Sequence, residues 1–182
     1  MPMARKYTVA DLTEMPEDGN RYELIRGELV VSPAPSVGHQ IIVTRLAFEL
    51  AVYLKPLGLA DTLFPLAADI SWDDSSLVQP DLLVLHPDDL SASWATARRL
   101  RLAVEVLSPS SRRRDRLDKR TLYQENAVET YWAVDVEARL VERWLPADER
   151  PELLGTSLEG RVTPEAPLLS VNLPALFANL PG

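Results

Sequence analysis

Two carboxylates stand where a protein interior normally excludes charge. Asp81 heads the apolar run LLVL (82–85), and Glu105 interrupts the alternating run RLRLAVEVL (99–107). A carboxylate inside an apolar strand loses its hydration, so it needs a compensating partner. If the strands are neighbours, a divalent cation removes the repulsion between the acids, and the carboxylates, the carbonyl of Val106 and waters would suit Mg²⁺ or Mn²⁺. The pattern therefore indicates a metal that activates water against a phosphate ester.

The helix that follows the second strand supplies a cation. The segment SPSS (108–111) can cap a helix over about residues 112–125. Asp115 and Lys119 lie four positions apart on one side of that helix, so Lys119 can reach back towards a phosphate or an attacking water. The simpler interpretation is a surface ion pair between these residues, worth about 0.3–0.5 kcal/mol. Spacing alone leaves both interpretations open.

Basic residues are concentrated around the same helix. Nine of the 19 basic residues lie between Arg98 and Arg120 with three acidic ones, a local net charge of +6 in a chain of net charge −8. This asymmetry suggests a surface for an anionic partner, although a solvated helix face is the simpler interpretation. The overall charge argues against a protein that coats nucleic acid by bulk attraction. The predicted phosphate contacts are Arg112, Arg113, Arg114 and Arg116.

Short elements, separated by 15 prolines, must position these side chains. Residues 37–54 repeat apolar side chains with a period of 3.6 and predict the longest helix. The order of helix, mixed strands, helix and strands indicates an α/β fold with a central mixed β-sheet flanked by helices. The other predicted helices are 8–14, 112–125 and 174–179, and the predicted strands are 22–31 (two strands around Arg26-Gly27), 61–64, 67–72, 81–85, 99–107, 130–136, 139–145, 152–154 and 168–171.

The composition is that of a globular protein. The 182 residues are 46% hydrophobic and 25% charged, and we expect one domain over 1–182, with a core at about 7–145 and a β-rich C-terminal extension at 146–182. The absence of cysteine excludes disulfides, thiolate metal sites and a cysteine nucleophile. No apolar run approaches the roughly 20 residues needed to cross a bilayer, and we expect no signal peptide because no apolar segment follows Arg5 and Lys6. We expect a cytoplasmic protein without a membrane partner.

Four stretches of the sequence are distinctive: RYELIRGELVVSPAPSVGHQ (21–40), VQPDLLVL (78–85), AVEVLSPSSRRRDRLDKRTLY (103–123) and ETYWAVD (129–135). Together they resemble the Uma-two family of the PD-(D/E)XK nuclease superfamily. The dipeptide Pro80-Asp81 alone is weak evidence for this resemblance, whereas the stretch from EVLSPS to DKRTLY is specific. The resemblance spans roughly Tyr7 to Leu145 and implies a restriction-endonuclease-like fold and Mg²⁺-dependent cleavage of DNA.

The resemblance implies roles for individual residues. Asp81 and Glu105 match the metal-binding acids. The superfamily pattern places a lysine two positions after the glutamate, where this chain has Leu107. Lys119 matches related families in which the lysine has moved to the following helix. We therefore predict Asp81, Glu105 and Lys119 as the catalytic residues.

Glu23, His39 and Asp115 are possible accessory residues of the same centre. Glu23 matches the family's N-terminal glutamate and would be a third acid near the metal, whereas the alternative is a charge on an edge strand. His39 matches a histidine that could approach the metal or a phosphate, although a histidine at the start of a helix more simply bonds to the backbone. Asp115 is the helical neighbour of Lys119.

These patterns favour a metal-dependent endonuclease that acts on DNA. The main alternative is a non-catalytic module that retains the fold for binding nucleic acid or protein, which the acidic charge and the displaced lysine favour. A glycosidase-like acid pair has less support, because no aromatic carbohydrate cleft is indicated. A homodimer is expected through an exposed apolar surface of the strand pair Thr130–Leu145.

Overall fold

A computed structural model describes residues 5–66, 68–90, 93–94, 96–109 and 111–181. Ala67, the first residue of one predicted strand, and Ser110 of the predicted helix cap lie outside the described residues.

Short strands make up much of the described chain, with one long helix between them. The strands are β1 (Arg21–Ile25), β2 (Glu28–Ser32), β3 (Leu63–Phe64), β4 (Ile70–Asp73), β5 (Ser76–Val78), β6 (Leu82–Leu85), β7 (Leu100–Leu107), β8 (Tyr131–Asp135), β9 (Leu140–Trp144), β10 (Glu152–Leu154), β11 (Ser157–Gly160) and β12 (Leu169–Asn172). The helices are α1 (Val9–Leu12), α2 (Val37–Leu54), α3 (Arg112–Arg114), α4 (Arg120–Glu125) and α5 (Leu173–Leu176), and a π-helical turn, Asp115–Lys119, joins α3 to α4. Single 3₁₀ turns cover Lys55–Leu57, Ala60–Thr62 and Pro87–Asp89.

The strands form three sheets. The six-stranded sheet has the order β10-β9-β8-β7-β6-β3 and is mixed, because β7 and β8 are parallel while its other described pairs are antiparallel. An antiparallel sheet has the order β2-β1-β5-β4, and β11 pairs with β12. The mixed α/β prediction is confirmed. The described strands are nevertheless divided between sheets, and two short strands that were not predicted, β5 and β11, belong to the two smaller sheets.

Strands β6 and β7 bring the two predicted acids to the same end of the sheet. Every residue of β6 is buried, and so is every residue of β7 except Arg101. Such continuous apolar runs suit strands that are covered on both faces. Leu82 pairs with Val104, so Asp81 and Glu105 lie one position away on neighbouring strands. The backbone N–H of Asp81 also donates to the carbonyl of Val104 at 3.0 Å.

Helix α2 packs against one side of the six-stranded sheet. It shares a hydrophobic cluster with alternate residues of β6, β7 and β8 and with the C-terminal residues Leu158, Val171 and Phe177. The segment after residue 145 was predicted as an extension. Its side chains nevertheless pack into the same hydrophobic cluster as α2. The buried residues of α2 are Ile42, Val43, Leu46, Leu50 and Leu54.

The other side of the sheet is covered by the four-stranded sheet and by the helix that contains the π-helical turn. Leu83, Ala103 and Tyr131 from the six-stranded sheet share a second cluster with Leu122 and Tyr123 of α4. Both layers lie against β7, which explains why its central residues are buried on both sides. The residues from β1, β2, β4 and β5 in this cluster are Ile25, Val30, Ile70 and Val78.

One helical segment meets the length and composition of a membrane-spanning helix, although the sequence contains no continuous apolar run of that length. Residues 37–57, which include α2, form a 21-residue segment with a mean hydropathy of 1.2, long and apolar enough to span a bilayer on these criteria alone. The same criteria are met by core helices of globular proteins, and α2 places Leu46 and Leu54 in the core with no exposed surface. Two carbonyls near α5 also accept hydrogen bonds from Arg45 on this helix.

The surface expected to form a homodimer is not exposed. Strand β8 is buried throughout, and Val141 and Trp144 of β9 are buried as well. Strand β8 pairs with β7 on one side and with β9 on the other, so it lies inside the sheet and not at an edge. Leu145 is 46% exposed, but the described strand pair presents no continuous apolar surface. The basis for predicting a dimer through this pair was therefore wrong.

Candidate functional site

A cleft of about 900 Å³ lies at the end of the six-stranded sheet where β6 begins and β7 ends. Its polar wall comes from β1, the first turn of α2, the start of β6, the end of β7 and the π-helical turn. All three predicted catalytic residues and all three possible accessory residues line this one cleft. They are Glu23, His39, Asp81, Glu105, Asp115 and Lys119.

Asp81 is buried and held by three donors. Its Oδ2 accepts from the backbone N–H of Val106 at 2.8 Å and lies 3.0 Å from Nε2 of His39. Its Oδ1 accepts from Nη1 of Arg21 at 2.9 Å. Burial raises the pKa of this carboxyl, but His39, Arg21 and the N–H of Val106 together lower the pKa to about 2. Asp81 is therefore ionised at neutral pH.

Glu105 is more deeply enclosed and is also held by donors. Its Oε1 accepts from Nζ of Lys119 at 2.9 Å and from the hydroxyl of Tyr123 at 2.7 Å. Burial raises the pKa of Glu105 well above its ordinary value; Lys119 opposes that rise, while Asp115 and Asp81 add to it. Lys119 favours the ionised form of Glu105, but burial has the larger effect on the pKa of this carboxyl.

Lys119 is the cation at the centre of the buried acids. Its side chain is 3% exposed, and its Nζ lies 2.8 Å from Glu23, 2.9 Å from Glu105 and 3.8 Å from Asp115. Burial lowers the pKa of the ammonium, but these carboxylates, led by Glu105, raise it above its ordinary value. The pair of Asp115 and Lys119 is thus buried, and the interpretation as a surface ion pair was wrong. Burial is also the main cause of the raised pKa of Asp115.

Glu23 lies inside the cluster. It is 2% exposed, and besides pairing with Lys119 it accepts from the backbone N–H of Gln79 at 2.7 Å. Strand β1 lies between β2 and β5, so the interpretation of Glu23 as an edge-strand charge was wrong. The structure brings a third acid next to Glu105, joined to it through Lys119.

The first turn of α2 aims His39 at Asp81. Ser36 caps the helix, since its Oγ accepts from the backbone N–H of His39 at 3.2 Å. The ring of His39 contacts Asp81 through Nε2, while the buried Nδ1 has no hydrogen-bond partner among the described residues. The side chain therefore approaches the cluster of acids instead of bonding to the backbone.

Two residues of the site were not identified from the sequence. Arg21 donates to Asp81 and to the carbonyl of Gln79, and Tyr123 donates to Glu105. The signals were positional: Arg21 is two residues before Glu23 in a strand, and Tyr123 is four residues after Lys119 in a helix. These spacings place each pair on one side of its element.

The predicted phosphate-binding arginines have different surroundings. Arg112 pairs with Glu137 at 2.6 Å and Asp135 at 3.5 Å. Arg116 pairs with Asp135 at 2.8 Å and Glu142 at 2.6 Å. The basic stretch is thus partly neutralised by acids from β8, β9 and the turn between them. Arg112 and Arg114 line the cleft, and Arg113 is exposed.

The donor chemistry of the cleft is compatible with a hard divalent cation. Asp81 and Glu105 supply carboxylate oxygens, and Oε2 of Glu105 accepts no hydrogen bond from the described residues. Within the described part of the chain, no group of three or more acidic or histidine side chains is arranged to hold a metal ion. Mg²⁺ requires fewer protein ligands, because it commonly uses one or two carboxylates and completes its shell with waters and phosphate. The pair present therefore fits Mg²⁺ better than it fits a cation that needs a full protein cage.

The chain is similar to known proteins in both sequence and structure. A family model described as "Putative restriction endonuclease", that of the Uma-two family, matches residues 9–175. A solved structure from Anabaena variabilis, described as a "putative nuclease belonging to DUF820", is similar with a TM-score of 0.77 and 18% sequence identity. This similarity covers 96% of the present chain and 99% of that chain. No curated protein matches the chain.

The mixed sheet, its covering helices and the structural similarity define a protein of the restriction-endonuclease-like fold. The family match covers most of the chain and extends beyond the stretches that carried the resemblance. The chain belongs to the Uma-two family, and the predictions of family and fold are both confirmed.

Proposed function

We propose that this protein is a metal-dependent endonuclease that hydrolyses DNA phosphodiester bonds, with Mg²⁺ or Mn²⁺ held by Asp81 and Glu105. The main supporting observation is that two buried carboxylates and the buried ammonium of Lys119 line one cleft although they come from three elements. The description of the family as restriction endonucleases supports a nuclease acting on nucleic acid.

The protein groups prepare this cleft in complementary ways. When bound, the cation would lower the pKa of an attacking water and neutralise charge on the phosphate. Arg21 and His39 hold the carboxylate of Asp81 in one orientation, so little reorganisation is needed when it becomes a ligand. Lys119 retains its charge and can hold the water or a phosphate oxygen from its position beside Glu105. Lys119 thus supplies, from the helix, the positive charge that the superfamily pattern takes from a lysine at the position of Leu107.

The arginines of the helix extend the proposal to the DNA backbone. Arg112 and Arg114 line the cleft and would contact phosphates on either side of the bond that is cut. Arg113 is exposed nearby, whereas Arg116 would first have to leave Asp135 and Glu142. We therefore expect Arg114 to contribute more to DNA affinity than Arg116.

The proposal is tested with purified Asp81→Ala and Glu105→Ala variants on supercoiled and linear duplex DNA. Wild type is expected to nick or cut DNA with Mg²⁺ or Mn²⁺ and to stop when the metal is chelated. Both variants are expected to lose this activity. The control Asp118→Ala, which removes an exposed acid from the π-helical turn that carries Lys119, is expected to retain it. Equal cleavage by all four proteins would place the activity elsewhere or in a contaminant.

A second candidate is a nuclease-fold module without catalysis that binds nucleic acid or protein. One observation favours it: Lys119 is engaged by Glu23 and Glu105, and Arg112 and Arg116 are engaged by acids. Calorimetric titration with Mn²⁺ separates the candidates. A metal-dependent nuclease binds Mn²⁺ and loses that binding in Asp81→Asn, whereas the second candidate shows no binding that depends on Asp81.

A further inference from the structure

The hydroxyl of Tyr123 is buried against the carboxylate of Glu105. Its oxygen lies 2.7 Å from Oε1 of Glu105, and the residue has no exposed surface. Tyr123 follows Lys119 by four positions, and Nζ of Lys119 lies 2.9 Å from the same oxygen. The centroid of the Tyr123 ring lies 4.9 Å from the ring centroid of Tyr131 and 6.1 Å from that of Trp72. The packing of the ring therefore fixes where the hydroxyl can donate.

Both donors act on one oxygen of Glu105. The other oxygen, Oε2, accepts no hydrogen bond from the described residues, and the side chain lines the cleft. A rotation that turned Oε1 towards the cleft would break both hydrogen bonds, and the one from the ammonium of Lys119 is stronger than a bond between neutral groups because its donor is charged. Oε2 is thus the oxygen that remains for a ligand.

We propose that Tyr123 is a positioning residue that restricts Glu105 to coordination through one oxygen, and that the site thereby favours Mg²⁺ over Ca²⁺. This inference rests on the proposed function, because it requires a divalent cation at Asp81 and Glu105. Mg²⁺ takes near-ideal octahedral ligands at about 2.0–2.1 Å, whereas Ca²⁺ takes roughly six to eight ligands and readily uses both oxygens of one carboxylate. A carboxylate held by one oxygen suits the smaller ion.

The substitution Tyr123→Phe removes the hydroxyl and retains the ring that packs against Tyr131 and Trp72. Among the described residues, the side chain of Glu105 then keeps only Lys119 as a hydrogen-bond partner, so its carboxylate can turn and offer both oxygens. Tyr131→Phe is the matched control, because the hydroxyl of Tyr131 is equally buried but donates to the backbone carbonyl of Asp115 at 3.1 Å. It removes a buried hydroxyl from the same ring pair without changing the partners of Glu105.

The measurement is calorimetric titration of full-length, metal-free wild type, Tyr123→Phe and Tyr131→Phe with MgCl₂ and with CaCl₂. Thermal unfolding of each protein checks that the variants are folded. In Tyr123→Phe the preference for Mg²⁺ over Ca²⁺ is expected to fall by about tenfold, the equivalent of one hydrogen bond to a charged group. In Tyr131→Phe the preference is expected to stay within about twofold of wild type, because the hydroxyl of Tyr131 donates to the carbonyl of Asp115 and not to Glu105.

The outcomes separate this inference from the proposed function. An unchanged preference in Tyr123→Phe, or an equal change in Tyr131→Phe, overturns the role of Tyr123 and leaves the metal-dependent nuclease intact. Absence of Mg²⁺, Mn²⁺ and Ca²⁺ binding by wild type overturns the proposed metal site and the inference together. A reduced preference confined to Tyr123→Phe supports both.

Discussion

At the scale of single residues, Asp81 shows how protein groups keep a buried carboxylate ionised. Its three donors come from β1, α2 and β7, so each oxygen is already oriented. These donors outweigh burial and lower the pKa of Asp81 to about 2. Glu105 has the opposite balance, because burial raises its pKa even beside Lys119. The two acids of one proposed site therefore differ in how readily they take up a proton.

The lowered pKa of Asp81 predicts a pH dependence of stability. A carboxyl with a pKa of about 2 in the folded protein and 3.8 as its ordinary value contributes stability that is complete above about pH 4 and is lost as the pH falls towards 2. The contribution is about 2 kcal/mol. Urea unfolding of metal-free wild type and Asp81→Asn from pH 2 to 7 measures it. The difference in unfolding free energy should shrink as the pH falls from about 4 to about 2, and a difference that does not change across this window would contradict the lowered pKa of Asp81.

The sequence identifies the charged residues of the site better than their partners. Asp81 and Glu105 are recognisable because they stand in apolar strands, and Lys119 because a helix follows the second strand. Arg21 lies 60 positions from Asp81, so no local pattern pairs them. Tyr123 has an apolar ring at a core spacing, and only the packed structure shows that its hydroxyl reaches Glu105.

At the scale of elements, helix starts and turns determine where the site residues point. The π-helical turn contains both Asp115 and Lys119 and places both in the interior. The carbonyl of Asp115 in this turn accepts a hydrogen bond from the hydroxyl of Tyr131. π-helical turns are rare and occur frequently at functional sites. The turn therefore belongs to the cleft through the two buried side chains that it carries.

The cap of α2 gives a prediction at this scale. Ser36→Ala removes the oxygen that accepts from the backbone N–H of His39 and should lower the free energy of unfolding by about 1 kcal/mol. Ser36→Asp, which retains a capping oxygen, should remain close to wild type. Chemical denaturation of the three proteins makes the comparison. Equal stability of wild type and Ser36→Ala would show that the cap does not hold the first turn of α2.

Regular elements could be predicted to within a few residues, whereas short and irregular ones could not. The periodic run of α2 gave its bounds, 37–54, and the alternating run of β7 was found to within one residue. The predicted strand 61–64 is a 3₁₀ turn followed by two strand residues. Three-residue β5 was not predicted, because so short a segment shows no period. The π-helical turn lies within a run that reads as an ordinary helix.

At the scale of the whole molecule, folding pairs basic residues with acids from distant parts of the chain. The basic window around residues 98–120 suggested an open cationic surface. Folding brings Asp135 and Glu142 from β8 and β9 against Arg116, so part of that charge is neutralised. Composition cannot show this, because the acids lie outside the window. The cleft thus combines acids with a few arginines instead of forming a uniformly basic groove.

The C-terminal segment gives a prediction at this scale. Phe177 is 2% exposed and belongs to the hydrophobic cluster of α2 and the six-stranded sheet. Phe177→Ala should therefore lower the free energy of unfolding of the whole protein by roughly 3–5 kcal/mol. Leu168→Ala, at a residue 48% exposed, should change it by less than about 0.5 kcal/mol. Urea unfolding followed by tryptophan fluorescence tests this, and a small effect of Phe177→Ala would make the segment a peripheral addition.

We propose that Asp81 and Glu105 share one divalent cation, and a crystal structure of the protein soaked in Mn²⁺, with anomalous data, shows whether an ion lies between them. We expect one ion at roughly 2.0–2.6 Å from an oxygen of each carboxylate, with Oε2 as the ligand from Glu105. An anomalous map that is empty between these two residues at saturating Mn²⁺, or an ion bound elsewhere, would contradict the account.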